Sequence, residues 1–475
     1  MSDAAAEPEC PKCAKLEREV AEVKRTLAEV TQTLLAKIAE LEAKLKQNSS
    51  NSSKPPSSDP PWQKPPNQKT STGRKPGGQK GHPGHHRVRV PAGQVHEVVH
   101  HVPSTCAHCQ ASLSEQPGPL DPQPAWHQVV ELAEVLAEVT EHQAHARTCP
   151  HCGQLTHAEV PADIRAHTIG PKLAATLCYL SGRCHLSKRT IEEIAETVFK
   201  VPVSLGTLSA LEGEMSQALR APQAEALAAV RGAPVKNVDE TGWFKRGKIC
   251  WLWLAATMTI AAYQIHRKRG TPGFKALLGN ISGIVCSDRW HAYARLPLHL
   301  RQVCWAHLKR DFQKLFELGA ETKAIGRAGR RAVKETFSLW TEFKAGRIDR
   351  NELQTRLAPV RARLKCALQR GRDGPDKKTM RFCKRLLKCY DALWTFAAVE
   401  GVEPTNNHAE RMLRPSVLWR KRCFGNQSDE GCRFAERIMT VVQTLRLRQH
   451  PVLAYLHAAI AAHRAGAPVP ALLAA

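Results

Sequence analysis

Three acids stand where a phosphodiester reaction could use them: Asp239 in "VDETGW", Asp288 in "SDRW" and Glu410 in "TNNHAERMLRP". Like charges brought together are costly unless a cation neutralises them, and hard oxygen donors suit Mg²⁺. Two such ions about 3.5–4 Å apart activate an attacking oxygen and stabilise a leaving one in phosphoryl transfer. Glu410 sits among Arg411, Arg414, Arg420, Lys421 and Arg422, cations fit to hold phosphates while the acids hold metal. Each acid also has a bland reading. Asp239 or its neighbour Glu240 can be a polar strand end, and Asp288 can pair with Arg289. Asn407 and Glu410 have capping-box spacing, with Asn407 as N-cap. Spacing alone leaves both readings standing, with Glu403 and Glu436 as further candidates for a third acid.

Four cysteines offer a second chemistry. Cys106-Ala-His-Cys109 and Cys149-Pro-His-Cys152 are CxxC pairs whose thiolates can surround one zinc tetrahedrally. The stretch between them, "WHQVVELAEVLAEVTEHQAHART", alternates and is expected to form strands. Four reduced, unliganded thiols are the alternative. Cys10 and Cys13 form a third pair without a neighbouring partner pair. The 16 cysteines, with no signal-like segment in "MSDAAAEPEC", point to a reducing cytosol.

The chain of 475 residues carries a formal net charge of +25, from 69 Lys and Arg against 44 Asp and Glu. A polyanion is the natural partner, because each neutralised phosphate releases counterions. The low-complexity stretch 48–92 carries eight Lys and Arg against one acid, and its Lys69, Arg74, Lys75 and Lys80 suit a linker or an arm along DNA. The apolar run "ICWLWLAATMTIAAYQI" is short of the ~20 residues a membrane helix needs and reads as two buried strands.

The elements that must position these groups follow from periodicity. Residues 14–47 form a helix whose seam (Leu16, Val20, Val23, Leu27, Val30, Leu34, Ile38, Leu41, Leu45) suits a short coiled coil, giving a homodimer or higher. A zinc-binding domain spans 93–160. Residues 161–230 are helical, with a helix-turn-helix-like pair whose second helix starts near Ser204; a plain helical hairpin fits equally. An α/β core follows at 231–310. In it "PVKNVDE" and "GIVCSDRW" are strands ending in acid, and "RQVCWAHL" is a further strand. Residues 311–400 are a helical insertion, 401–425 return to the core, and 426–475 are helical with an Ala/Pro tail expected to fray.

"NSSKPPSSD", "GRKPGGQKGHPG", "VDETGW", "SDRWHAY", "CWAHLKRDF" and "TNNHAERMLRP…RKRCFG" occur in this order. The ordered set closely resembles the insertion-sequence-66 family of bacterial DDE transposases, from the N-terminal helix to about residue 445. The resemblance implies a ribonuclease H-like catalytic core, with a helical insertion before the last acid. It maps the family's three acids onto Asp239, Asp288 and Glu410, with two catalytic Mg²⁺ ions, and its one structural zinc onto Cys106, Cys109, Cys149 and Cys152. It implies a cytoplasmic, nucleoid-associated enzyme acting on double-stranded DNA, with small accessory proteins as possible partners. A nuclease or resolvase that cuts without joining, and a non-catalytic zinc-containing regulator, are the competing expectations. One departure is "FGNQSDEG", where a less acidic turn is expected.

Overall fold

The computed structural model describes residues 11–48, 52, 89–116, 119, 122, 127–130, 137–148, 150–152 and 154–474. The basic positions Lys69, Arg74, Lys75 and Lys80, and Cys10 and Cys149, lie outside the described residues. The chain divides into two compact units, 67–140 and 1–66 with 141–475.

Helix α1 covers Pro11–Leu45, and the seam from Leu16 to Leu45 is exposed along its length. In the 67–140 unit, the described residues 127–130 and 137–140 are not strand, against the expectation from their alternation. Strand appears at the end of that stretch, where β1 (Ala146–Thr148) pairs antiparallel with β2 (Leu155–His157), just beyond the second CxxC. Alternation in the insert is amphipathic only if a second layer covers it, and so short a segment cannot supply one.

After the single turn α2 (Ala162–Arg165) come α3 (Pro171–Gly182), α4 (Lys188–Thr197), α5 (Leu205–Ala218) and α6 (Arg220–Gly232). Ser204 caps α5 as expected, accepting from the Thr207 amide. Leu208, Leu211 and Met215 turn α5 into the core. This helix carries neither Lys nor Arg, and its acids Glu212 and Glu214 pair with Lys188 (2.9 Å) and Arg464 (2.7 Å).

The central sheet contains β3 (Val235–Lys245), β4 (Lys248–Ala256), β5 (Ala261–His266), β6 (Ile284–Ser287) and β7 (Arg301–Val303), with α7 (Thr271–Leu278) between β5 and β6. Strand order is β5-β4-β3-β6-β7. The first three form an antiparallel meander, and β6 and β7 add in parallel. The β3–β4 turn places Arg246 (φ 49°) and Gly247 (φ 71°) in the left-handed region, which matches the twist of a two-residue hairpin.

Two expected boundaries move. Asp239 is not at the end of its strand; β3 runs on to Lys245 because β4 pairs with it throughout, Trp243 opposite Cys250. "RQVCWAHL" is strand only to Val303, and Trp305–Glu317 form α8, burying Trp305, Leu308, Phe312 and Leu315 at helical spacing.

Residues 311–400 are helical as expected: the rest of α8, then α9 (Ala320–Lys344), α10 (Arg350–Arg372), α11 (Lys377–Lys388) and α12 (Thr395–Ala398), which share a core with β6 and β7. α9 lies close on α8, since a Cβ at Gly329 would collide with the Phe312 ring. α13 (Asn407–Cys423), α14 (Asp429–Leu447) and α15 (Val452–Arg464) pack with α3 and α5 over the face carrying Leu252, Leu254 and Tyr263. The opposite face, with Val238, Trp253 and Ala255, is covered by α6 and α7. The C-terminal tail docks rather than frays: Leu472 is buried, and the amides of Leu472 and Leu473 donate to Glu225 at 2.7 and 3.0 Å. Among the described residues no helix is long and apolar enough to cross a membrane.

Candidate active site

The parallel pairing of β3 with β6 sets Asn237 opposite Cys286. Asp239 lies two residues further along β3, and Asp288 lies two residues past Cys286, just beyond the end of β6 at Ser287. Asp239 Oδ1 accepts from the Glu240 amide (2.9 Å), and Asp288 Oδ1 from the Trp290 amide (2.8 Å). Burial pushes the Asp239 carboxyl well above its usual range, and the charges of Glu240, Asp288 and Glu410 push the same way.

Glu410 arrives from the first turn of α13. The capping box that was the alternative reading of Glu410 does not form. The N-cap is Asn406 rather than Asn407, it makes no side-chain cap, and Glu410 lies four residues in. Asn406 is buried and turned to other work. Its Nδ2 donates to Val238 O (2.9 Å), its Oδ1 accepts from Asn237 (2.9 Å), and its amide donates to Cys304 Sγ (3.1 Å). The Trp305 amide donates to Pro404 O at 2.9 Å. These bonds tie the start of α13 to β3 and to the start of α8, which carries Glu410 to the face where Asp239 lies.

Sequence reasoning missed His307. From α8 its Nδ1 stands 3.6 Å from Glu410 Oε1, and both atoms are buried without a hydrogen-bond partner. Burial, with help from Arg310, holds the imidazole below its usual pKa. Its only sequence signal was "CWAHLKRDF", whose helical phase puts His307 one residue from the buried Leu308.

The competing roles of neighbouring acids are resolved by partners. Glu240 points to the other face, bound by Arg269 (3.0 Å) and the Tyr293 hydroxyl (2.5 Å). Arg289 does not pair with Asp288; it donates to Asp311 and lies over the Phe382 ring at 4.8 Å. Glu403 pairs with Lys344 (3.7 Å), and the buried Glu436 holds Arg433 (2.8 Å) and the Ile265 amide (2.6 Å). Among the described residues, no three His, Cys, Asp or Glu side chains form a group able to hold a metal as they stand.

Of the cations around Glu410, Arg411, Arg414, Lys421 and Arg422 are exposed. Arg420 is committed to β3, donating to Gly242 O and to Thr241 Oγ1 (3.4 Å). The unexpected "FGNQSDEG" loop docks on the β3–β4 hairpin. Trp243 Nε1 donates to Asn426 Oδ1 (2.8 Å), Lys245 pairs with Asp429 (2.7 Å), and Ser428 caps α14.

The expected zinc ligands divide between the units: Cys106 and Cys109 in one, Cys152 in the other. The first pair forms a tight knuckle, with the Gln110 amide on Cys106 O (2.9 Å), Gln110 at φ 62°, and a bridge between Thr105 and Ser112. The backbone amides of Cys109 and His108 point at the Cys106 sulfur and hold its thiol below the usual value.

Residues 167–433 match the model described as the transposase IS66 family, and residues 6–88 match a family of unknown function. An uncharacterized protein, y4qI of Sinorhizobium fredii (strain NBRC 101917 / NGR234), is 26% identical over 220 residues, 42% of this chain and 40% of that protein. The match thus spans about two fifths of that relative's length.

Proposed function

The chain belongs to the transposase IS66 family, and from that premise we propose that it is a DNA transposase that cuts the ends of a bacterial insertion sequence and joins them to target DNA. What supports this is the Asn406 tether that ties the start of α13, and with it Glu410, to β3 beside Asp239, together with the buried Asp239 carboxyl, raised first by burial and Glu240 and further by the charges of Asp288 and Glu410. The strand order β5-β4-β3-β6-β7, antiparallel then parallel, supports a ribonuclease H-like core, with α8–α12 inserted before the last acid.

The donor set fits Mg²⁺. It is carboxylate oxygen, mutually repelling, with the Glu410 Oε1 atom buried and unpartnered. Asp239, Asp288 and Glu410 would hold two ions. Such ions supply Lewis-acid activation of the attacking oxygen and stabilisation of the leaving one. In the first step a water oxygen bonds to phosphorus and the P–O3′ bond breaks, leaving a 3′-hydroxyl and a 5′-phosphate. In the second that 3′-oxygen bonds to a target phosphorus, and the target's own 3′-oxygen leaves with the proton. No oxidant or reductant is needed. Arg411, Arg414, Lys421 and Arg422 lie exposed on the helix that presents Glu410, where they can hold phosphates; Lys69, Arg74, Lys75 and Lys80 would extend the contact. Cys106, Cys109, Cys149 and Cys152 would be the thiolate ligands of one structural zinc, and the exposed seam of α1 would pair two or more copies. Such an enzyme works in the cytoplasm, at the nucleoid.

The test uses DNA from the flanks of the chain's own coding sequence, with and without Mg²⁺, and pre-cut ends for the joining step. Mg²⁺-dependent cleavage and joining are expected from the parent. Glu410→Gln is expected to fold and bind DNA but to cleave at least about 10²-fold more slowly, a loss typical of removing a main source of transition-state charge stabilisation. Cleavage without joining would make the protein a nuclease, and robust cleavage by Glu410→Gln would move the third acid elsewhere.

A further inference from the structure

The most strongly one-sided surface in the described chain lies in the helical insertion. Helix α11, "KKTMRFCKRLLK", has 12 residues, six of them Lys or Arg and none acidic. Lys377, Lys378, Arg381, Lys384, Arg385 and Lys388 are all exposed, while Thr379, Cys383 and Leu386 form the buried side. Six cations thus occupy the solvent face of one helix. None of them is in an ion pair or donates a side-chain hydrogen bond among the described residues.

This pattern works against the helix itself. Lys377/Arg381, Arg381/Arg385 and Lys384/Lys388 stand four apart, and like charges at that spacing destabilise a helix. Lys377 and Lys378 occupy the first turn, where the helix dipole disfavours cations. Only the Asp376 N-cap, which accepts from the Thr379 amide (2.6 Å), offsets them. A plain solvated face would mix signs, as α10 does with Glu352 and Arg356 (3.5 Å).

The helix that carries the stripe packs on the residue that follows Asp288. Phe382 of α11 packs edge-on against Phe312 of α8 (5.5 Å), and its ring is covered by Arg289 (4.8 Å), the residue after Asp288. Lys378 and Arg385 stand four and three residues from Phe382, the spacings at which helix side chains are neighbours. From Lys377 to Lys388 the stripe is about 16 Å long. Roughly five phosphates of one strand lie along that length at about 3.4 Å of duplex axis each.

Resting on the transposase reading, we propose that α11 is a sequence-independent track for the sugar-phosphate backbone of duplex DNA, holding the duplex that enters the Asp239–Asp288–Glu410 site. The partner is the phosphate backbone, not the bases. The exposed side chains are Lys and Arg, which contact phosphates without reading sequence.

The test measures binding of the full chain to duplex DNA over about 50–200 mM salt. The variant is Lys378→Gln, Arg381→Gln, Lys384→Gln and Arg385→Gln together, with helicity checked by circular dichroism. Losing four phosphate contacts is expected to reduce the log–log salt slope by about 2–4, at ~0.9 per contact, and to weaken binding to all sequences alike. The charge-keeping set Lys378→Arg, Arg381→Lys, Lys384→Arg and Arg385→Lys is expected to bind like the parent. An unchanged slope in the folded glutamine variant overturns the track, and so does an equal loss in the charge-keeping set. A parent that binds no DNA would instead sink the transposase reading itself.

Discussion

The acid cluster predicts that a neutral side chain at position 239 stabilises the protein without divalent metal and loses that advantage when metal is added. The perturbation is Asp239→Asn, which keeps an oxygen to accept the Glu240 amide (2.9 Å) and removes the charge. Burial, and the charges of Glu240, Asp288 and Glu410, raise the Asp239 pKa well above its usual value. An unfolded Asp releases its proton near pH 3.9. Between that pH and the raised folded value, the folded chain holds a proton that the unfolded chain has shed. Stability therefore falls as pH rises through this window and stays lower above it. At pH 8 the folded parent bears this cost and the uncharged Asn does not, so the variant should have the higher Tm. The assay is thermal unfolding with EDTA from pH 4 to pH 8, then with Mg²⁺. The two curves should converge near pH 4 and separate by pH 8. Mg²⁺ should stabilise the parent through mass action and the variant far less. A variant no more stable than the parent at pH 8 in EDTA would refute the charge argument, and equal stabilisation of both by Mg²⁺ would refute the metal assignment.

Three further outcomes are expected. His185, stacked on Trp419 at 5.4 Å, has its pKa pulled down to about 4 by burial and by Arg183, Arg422 and Arg446. Stability should thus fall as pH drops from about 6.5 to 4, by on the order of 1–3 kcal/mol after allowing for solvent at the ring's edge; His185→Asn, which suits the φ of 58° there, should flatten that fall in urea titrations. Metal analysis of the full chain should find about one zinc per chain, lost together with the order of the knuckles in Cys106→Ser; a zinc content unchanged by that substitution would remove Cys106 from the site. Leu27→Lys with Leu34→Lys should lower the mass measured by light scattering, because both side chains are exposed along α1, and an unchanged mass would rule out the seam as the oligomer contact.

What was legible in the sequence was local. The apolar run of β4 and β5, the Ser204 cap and the helical periods of 311–400 each depend on residues close to one another in the chain, and each appears where its pattern put it. Illegible features depended on distant partners. Asp239 looked like a strand end because a charge seldom continues a buried strand, yet β3 runs past it because β4 pairs to Lys245 while β6 stops at Ser287. "RQVCWAHL" looked like one strand because its apolar residues fit either period, and the chain turns helical at Trp305. The Ala/Pro tail looked loose because its anchor, Glu225, lies about 250 residues earlier. Asn406 shows most sharply how the site itself escaped local reading. Asn407 had the better spacing for a cap, and a cap would have given Glu410 a structural duty. Instead Asn406 ends the loop before α13, and its side chain reaches Val238 and Asn237, 168 and 169 residues back. That long-range bond explains at once why no capping box forms and why Glu410 reaches the face of Asp239. The carboxylate that local rules would have assigned to its own helix is left without a helix-capping partner, with one oxygen buried and unpartnered beside His307. A cation that reached that oxygen would supply the partner that the fold does not.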